Sequence, residues 1–365
     1  TDLGVDVSMA RPGAWDGTTT EQPEQVNGVY QIANAKQLAW FAQKINAGGS
    51  RSLRAVLISD IVINDASTNN KWTPIQDGIS GYGTAEEDTG TFDGKGHTVY
   101  GLTAPLFGNA DKGSMIKNVT VTGTITGSTN VGAICKTTYG NIESCVSYAT
   151  ITVNGKRTGG IAGLVYAGGS ITNCINYGAI TSTYATPSLA PDAKEAYIGG
   201  IVGYAYVRVE TCANFGEVKA TGDGISCVGG IAGYARVGYG AEAGSAYLLN
   251  CYNTGAVSAA SKTGGIVGEA AVAVTNCYNT GAVTGGAIIG SSATGSSMTN
   301  CYYLTGSCTD GGRAAEKTEA EMKSAAFVLT LGEAYGQDTT PKKNKGYPIF
   351  TWQGGTKPTI DPDEE

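Results

Sequence analysis

The chain has 365 residues, with 55 Gly, 15% charged side chains and a net charge of −7. That acidic balance leaves no basic footprint for nucleic acid, and no apolar run reaches the ~18 residues of a membrane-spanning helix. The length would allow two or three globular domains, but abundant Gly beside many Thr, Val, Ile and Tyr favours one long solenoid of short strands.

Residues 1–28 are polar and rich in Gly, Pro and Thr, and read as a flexible lead-in. The opening Thr1-Asp2-Leu3-Gly4 fits a processed chain, so this end offers no direct sign of secretion. Within 29–50, Asn34 followed by Gln37 reads as a capping box. Leu38, Trp40, Phe41 and Ile45 then form an apolar stripe, which predicts an amphipathic helix over 33–46 ending at Gly48-Gly49. Trp40 and Phe41 lie on that stripe and are assigned to core packing rather than to a ligand.

Residues 51–130 read as irregular opening coils with strands in Leu53–Ile63, Gly90–Leu102 and Met115–Ile125. Asp93-Gly94-Lys95-Gly96 is a tight turn. His97, the only histidine, follows that turn. No motif places a Ser, Cys or carboxylate around it, so its role is read as structural.

A two-phrase repeat is clear over 131–310. The first phrase appears as VGAIC, GGIAG, GGIVG, GGIAG, GGIVG and GAIIG, ending at Cys135, Gly163, Gly203, Gly233, Gly268 and Gly290. The second is centred on Cys145, Cys174, Cys212, Cys251, Cys277 and Cys301, spaced 29, 38, 39, 26 and 24 residues apart. Two positions after these cysteines stand Ser147, Asn176, Asn214, Asn253, Asn279 and Tyr303. Phrases that persist while the spacing varies predict stacked coils taking insertions at turns, over 182–197 and 236–247. The fold class that follows is all-β: a right-handed parallel β-helix with short helices capping near both ends.

In such a coil Ile161, Val202, Ile231 and Ile266 point inward, while Gly and Asn supply the corners. Rungs ~4.8 Å apart stack identical side chains, so the Asn at the second position after each cysteine is expected to form an amide ladder. The six aligned cysteines are expected to form a buried, reduced ladder, because in-register rungs do not suit disulfide geometry. No CxxC pair or His cluster suggests zinc. Cys135, Cys227 and Cys308 lie off the ladder.

Over 311–353, Thr318-Glu319-Ala320-Glu321 is a capping box opening a helix to about residue 334. Gly346-Tyr347-Pro348-Ile349-Phe350-Thr351-Trp352 reads as a last strand. Residues 354–365 are an acidic linker.

The G-G-I-x-G phrase coupled to N-C-x-N-x-G-x-V resembles the GLUG-type repeats of bacterial cell-surface β-helix proteins. Trp72-Thr73-Pro74-Ile75 and Gly90–Val99 resemble that family's opening coils, and Glu321–Ile349 its closing segment, so the resemblance spans roughly 29–353. It implies an adhesin-like or accessory module, secreted or attached to the cell surface, and carries no catalytic residue. No HExxH motif is present, so this is not the peptidase part of such a protein.

Three functions are compatible with the residues. The favoured one is a non-catalytic, monomeric adhesin-like module without cofactor or metal, binding a glycan or a surface protein. Strand alternation puts Tyr252, Tyr278 and Tyr302 on the outer wall, an aromatic strip suited to a sugar or protein partner. A β-helix polysaccharide lyase or hydrolase is the alternative by analogy of fold. It would need paired carboxylates or a metal-linked acidic cluster. Acidic residues in the repeat are scattered singly (Glu210, Glu217, Asp223, Glu269). The insertions, with Asp192, Lys194, Glu195, Arg236 and Glu242, would have to wall its groove. The third is a spacer that displays another domain.

Overall fold

The computed structural model describes residues 13–48, 52–76, 90–185, 196–238, 244–339 and 341–358, and they form a parallel β-helix. One coil shows how the sequence achieves it. Strand Asn141–Glu143 ends at Ser144, which turns in the left-handed region with φ +54°. Cys145 follows, then the segments Val146–Ser147, Thr150–Val153 and Arg157–Gly159. After a bend at Gly160-Ile161 the chain runs through Ala162–Val165 and returns as Ser170–Thr172, in parallel register beside Asn141–Glu143. Repetition builds sheets of eleven, twenty-one and seven strands. Among the described residues the antiparallel strand pairs are terminal: Glu24–Val26 with Val29–Ile32, and Tyr335–Gly336 with Ile349–Phe350.

Ladders fill the interior. Ile142, Ile171, Val209, Leu248 and Val274 stack along one wall and are fully buried. Each such side chain contributes roughly 1.5–3 kcal/mol. On the next wall the six aligned cysteines form the expected ladder with free thiols. Each donates to the carbonyl two residues back, as Cys174 does to Thr172 at 3.2 Å and Cys277 to Thr275 at 3.2 Å. Burial pushes the Cys145, Cys174 and Cys277 thiols well above their ordinary range. At the ladder's end a hydrogen bond with Cys277 holds the Cys301 thiol lower. Alkylation of the native chain at pH 8 is therefore expected to modify Cys308 first, because it is partly exposed, and Cys301 next, because its thiol is held lower, leaving the inner ladder untouched. Peptide mapping checks this. Inner-ladder labelling as fast as that of Cys308 would contradict the packing.

The amide ladder is present and continuous. Asn176 donates to Asn214 at 2.9 Å, Asn214 to Asn253 at 2.8 Å and Asn253 to Asn279 at 2.8 Å. Each also donates to the carbonyl of the glycine two residues on, so every Nδ2 is satisfied in the dry interior. A second column, one residue before the cysteines, makes the corner. Asn118, Asn173, Asn250, Asn276 and Asn300 adopt φ of +52° to +55°, with Ser144 and Thr211 beside them in the same region. Asn tolerates that region better than other non-glycine residues. Here too amides bond along the stack, Asn300 to Asn276 at 2.8 Å and Asn276 to Asn250 at 3.1 Å.

Several expectations are corrected. Residues 13–28 are not a loose lead-in throughout: Trp15 is buried against Trp72, its N–H bonded to Val62 at 3.0 Å, and Glu24–Val26 is a strand. Val131–Cys135 aligns one residue earlier than its pattern suggests. Cys135 pairs with Ala162 rather than Gly163, and so lies in the core in column with Phe107. Each of the three opening strand runs is two strands joined by a turn. The Asp192, Lys194, Glu195 and Glu242 positions, and residues 1–12 and 359–365, lie outside the described residues.

The N-terminal helix α1 (Ala35–Asn46) is close to expectation. Asn34 accepts from the Gln37 N–H at 3.0 Å, while Gln37 reaches back to the Ala33 N–H at 2.8 Å. Its Leu38, Phe41 and Ile45 join the solenoid core, with Phe41 against Phe92, and Trp40 packs on Tyr30 at 5.4 Å. The helix expected over 318–334 is two, α2 (Glu319–Met322) and α3 (Ala325–Leu331), because Ser324 caps a new start by accepting from the Phe327 N–H. Both lie against the outer face of the cysteine wall. His97 has a structural partner, Nδ1 standing 3.3 Å from Asp60 Oδ1.

Candidate functional site: a tyrosine-lined re-entrant crease

The aromatic strip Tyr252–Tyr278–Tyr302 points outward from the cysteine wall, as alternation requires, and Tyr252 stacks on Tyr278 at 5.0 Å and 4°. It is not a ligand surface. Tyr252 and Tyr278 are fully buried beneath the C-terminal segment, where Met322, Phe327, Tyr335 and Phe350 cover them. Their hydroxyls are also engaged: Tyr252 donates to Gln353 Oε1 at 2.9 Å, and Tyr278 donates to the Pro348 carbonyl and accepts from Asn344 Nδ2. Tyr302 is partly buried, edge-on to Phe327 at 5.1 Å. Strand alternation gives the direction of a side chain but not what a later segment lays over it.

The outer surface carries a different feature at the Gly-Gly corner. Residues seven apart on either side of that corner touch through their outward side chains. Asn130 Nδ2 donates to Thr137 Oγ1 at 3.0 Å, the Tyr197 and Tyr204 rings meet at 4.9 Å and 90°, and Lys262 pairs with Glu269. Outward groups can meet only if the two strands fold toward each other on the outside, so the corner is re-entrant and its repetition makes a crease along the solenoid axis. Close backbone approach forms its floor: a Cβ on Gly203 would sit 2.4 Å from Thr158 N and 2.7 Å from Gly163 O. The third glycine of the repeated phrase is fixed by this contact.

Strand register sets the two walls. One carries Asn130, Arg157, Tyr197, Cys227 and Lys262 on successive coils. The other carries Thr137, Leu164, Tyr204, Tyr234 and Glu269. Beyond the second wall a further row, Tyr139, Tyr166 and Tyr206, stacks at 4.5 and 5.7 Å with rings nearly parallel. Tyr204 joins the sets, 4.7 Å from Tyr206 and 4.9 Å from Tyr234. Arg157 lies over the Tyr204 ring at 5.7 Å, and the Tyr204 phenol raises the Arg236 guanidinium.

The electrostatics favour recognition over chemistry. Burial raises the Tyr197, Tyr204 and Tyr234 phenols, so at neutral pH they are uncharged groups able to donate and accept. Burial, with Glu269 nearby, pushes the Cys227 thiol up to about 12, and its Sγ lies 3.4 Å from Glu269 Oε2. A thiol held protonated in this way is a poor nucleophile. The walls carry two cations, Arg157 and Lys262, and one carboxylate, Glu269, which Lys262 pairs; Arg236 stands in the row beyond the second wall. No group of three His, Cys, Asp or Glu that could hold a metal occurs among the described residues, and no helix there is long and apolar enough to cross a membrane. Sequence reasoning missed the crease because its wall positions carry no fixed residue type. The available signal was the fixed seven-residue interval across each Gly-Gly.

No family model matches the chain. A stretch of 87 residues is 34% identical to Halomucin of Haloquadratum walsbyi, which is 21% of this chain and 1% of that protein's length. A crystal structure of a provisionally named immunoglobulin A1 protease from Bacteroides ovatus aligns over 93% of this chain and 98% of its own, at 20% identity and a TM-score of 0.45.

Proposed function

We propose that this chain is a GLUG-type repeat module of a secreted or surface-attached bacterial protein, and that its crease binds an acidic glycan chain without cutting it. One observation carries the reading: a re-entrant crease along the axis that carries phenols, Arg157, Arg236 and Lys262 at different levels of the stack, with the wall carboxylate Glu269 already paired to Lys262. Stacked rings show edges and hydroxyls rather than faces, so the crease engages hydroxyl and carboxylate groups through hydrogen bonds. The arginines add charge-assisted bonds to a uronate, sialate or sulfate. Hydrolysis of a glycosidic bond ordinarily takes two carboxylates, and the walls bring one.

The test is affinity electrophoresis and calorimetry with polygalacturonate, hyaluronan, a sulfated glycan and a sialylated glycan. At least one is expected to bind. Arg157→Ala with Arg236→Ala is expected to weaken it tenfold or more, since each hydrogen bond to a charged group is worth about 1.5–3 kcal/mol and ~1.4 kcal/mol is tenfold. An unchanged affinity in a variant with wild-type circular dichroism would remove the crease. Absence of binding across the panel would favour a spacer.

A further inference from the structure

On the cysteine wall an aromatic column of three rings gives way to threonine at both ends, Thr122 and Thr254. Tyr148, Tyr177 and Phe215 stand three residues after successive ladder cysteines and stack at 4.8 and 4.7 Å. Register carries the same column back to Thr122, because Val121 pairs with Ser147; on the coil before, the strand bulges between Val99 and Leu102, where Tyr100 stands. Thr122 is too short to continue the stack. With rungs ~4.8 Å apart, Tyr100 and Tyr148 are roughly 10 Å from each other along the axis, against ~4.5–7 Å for rings in contact.

Thr122 lines a groove of about 280 Å³, near the lower end of the ~300–1,000 Å³ typical of small-molecule sites. Tyr148 borders it. Tyr177, from the following coil, covers one face of the Tyr148 ring, and the groove's other lining comes from preceding coils, so the second face looks into it. Exposed Asn69, Thr124 and Thr150 stand on the rim with the Asp65 carboxylate, and neither Lys nor Arg lines it.

We propose that this groove is a second, separate site that takes one neutral pyranose residue, its C–H face packed on the free face of Tyr148 and its hydroxyls bonded to Asn69, Thr124 and Thr150. The two surfaces divide by chemistry. The crease has cations and ring edges. The groove has a ring face, amide and hydroxyl groups, and a carboxylate that disfavours anions.

Saturation-transfer NMR on the full chain tests this with glucose, galactose, mannose, N-acetylglucosamine and their β-linked disaccharides. Transfer is expected for at least one sugar, strongest at its ring C–H protons. Thr124→Trp, which fills the groove from an exposed position without touching the stack, and Tyr148→Ala are each expected to weaken binding tenfold or more. Tyr148→Phe keeps the ring and is expected to bind normally, as is the Arg157→Ala, Arg236→Ala variant. No transfer from any sugar, or transfer surviving in both Thr124→Trp and Tyr148→Ala, would overturn the proposal. Both results are independent of whether the crease binds an acidic glycan.

Discussion

Gly255→Ala is expected to lose more than about 4 kcal/mol of stability. Gly255 sits at the corner four residues after Cys251, where coils approach through backbone alone. A Cβ there would lie 2.0 Å from Gly216 O, 2.7 Å from Gly216 C and 3.0 Å from Asn214 Nδ2. The obstacle is backbone of the neighbouring rung, itself fixed by a parallel ladder, so no side-chain rotation relieves it. Ordinary overpacking costs about 1–3 kcal/mol, and a clash with immovable backbone belongs in the exceptional range above ~4 kcal/mol. Against a total stability of about 5–15 kcal/mol, that is a large share of the margin. Urea unfolding followed by circular dichroism measures it. A variant within about 1 kcal/mol of the wild type would mean the rungs are further apart than described.

Asn253→Asp is expected to produce the next largest loss, and one that grows with pH. The Asn253 side chain is fully buried, accepts from Asn214 and donates to Gly255 O and Asn279 Oδ1. A carboxylate keeps the first bond and turns the other two into oxygen–oxygen contacts, in a site too dry to hydrate its charge. The folded-state pKa of the new carboxyl is therefore raised above the unfolded ~3.9. The folded form then binds more protons above that pH, so stability falls as pH rises from about 4 through the raised value. Asn253→Ala, with no titrating group, is expected to lose about 2–4 kcal/mol from three unmade buried bonds at every pH. Equal pH dependence in the two variants, measured by urea unfolding at pH 4, 6 and 8, would contradict a continuous buried amide ladder.

These two effects mark how much was legible in the sequence. The amide ladder was readable because Asn176, Asn214, Asn253 and Asn279 recur at one position, and stacking makes recurrence into contact. The cysteine ladder was readable for the same reason. The left-handed corner just before each cysteine was only half legible: Asn recurs there, but Ser144 and Thr211 obscure the pattern. What could not be read is whatever depends on one repeat feature meeting something outside the repeat. Tyr278 was placed outward correctly, yet its hydroxyl partners Pro348 and Asn344 lie far along the chain, in a segment with no periodicity linking it to that wall.

The crease failed to show for a different reason. Its members Arg157, Tyr197, Cys227 and Lys262 share a position but not a chemistry, so no motif marks them. Only the direction of the corner, a matter of backbone geometry, brings Tyr197 to Tyr204 and Lys262 to Glu269. The groove beside Tyr148 is subtler still, since it lies where a column of rings gives way to Thr122.

The most direct test of the account incubates the full chain with the acidic polysaccharide it binds best and reads retention and polymer length from the same sample. The account predicts saturable binding through the crease, with the polymer recovered at its original length. Shortened or unsaturated products that disappear in the Arg157→Ala, Arg236→Ala variant would contradict it and make the crease an active site.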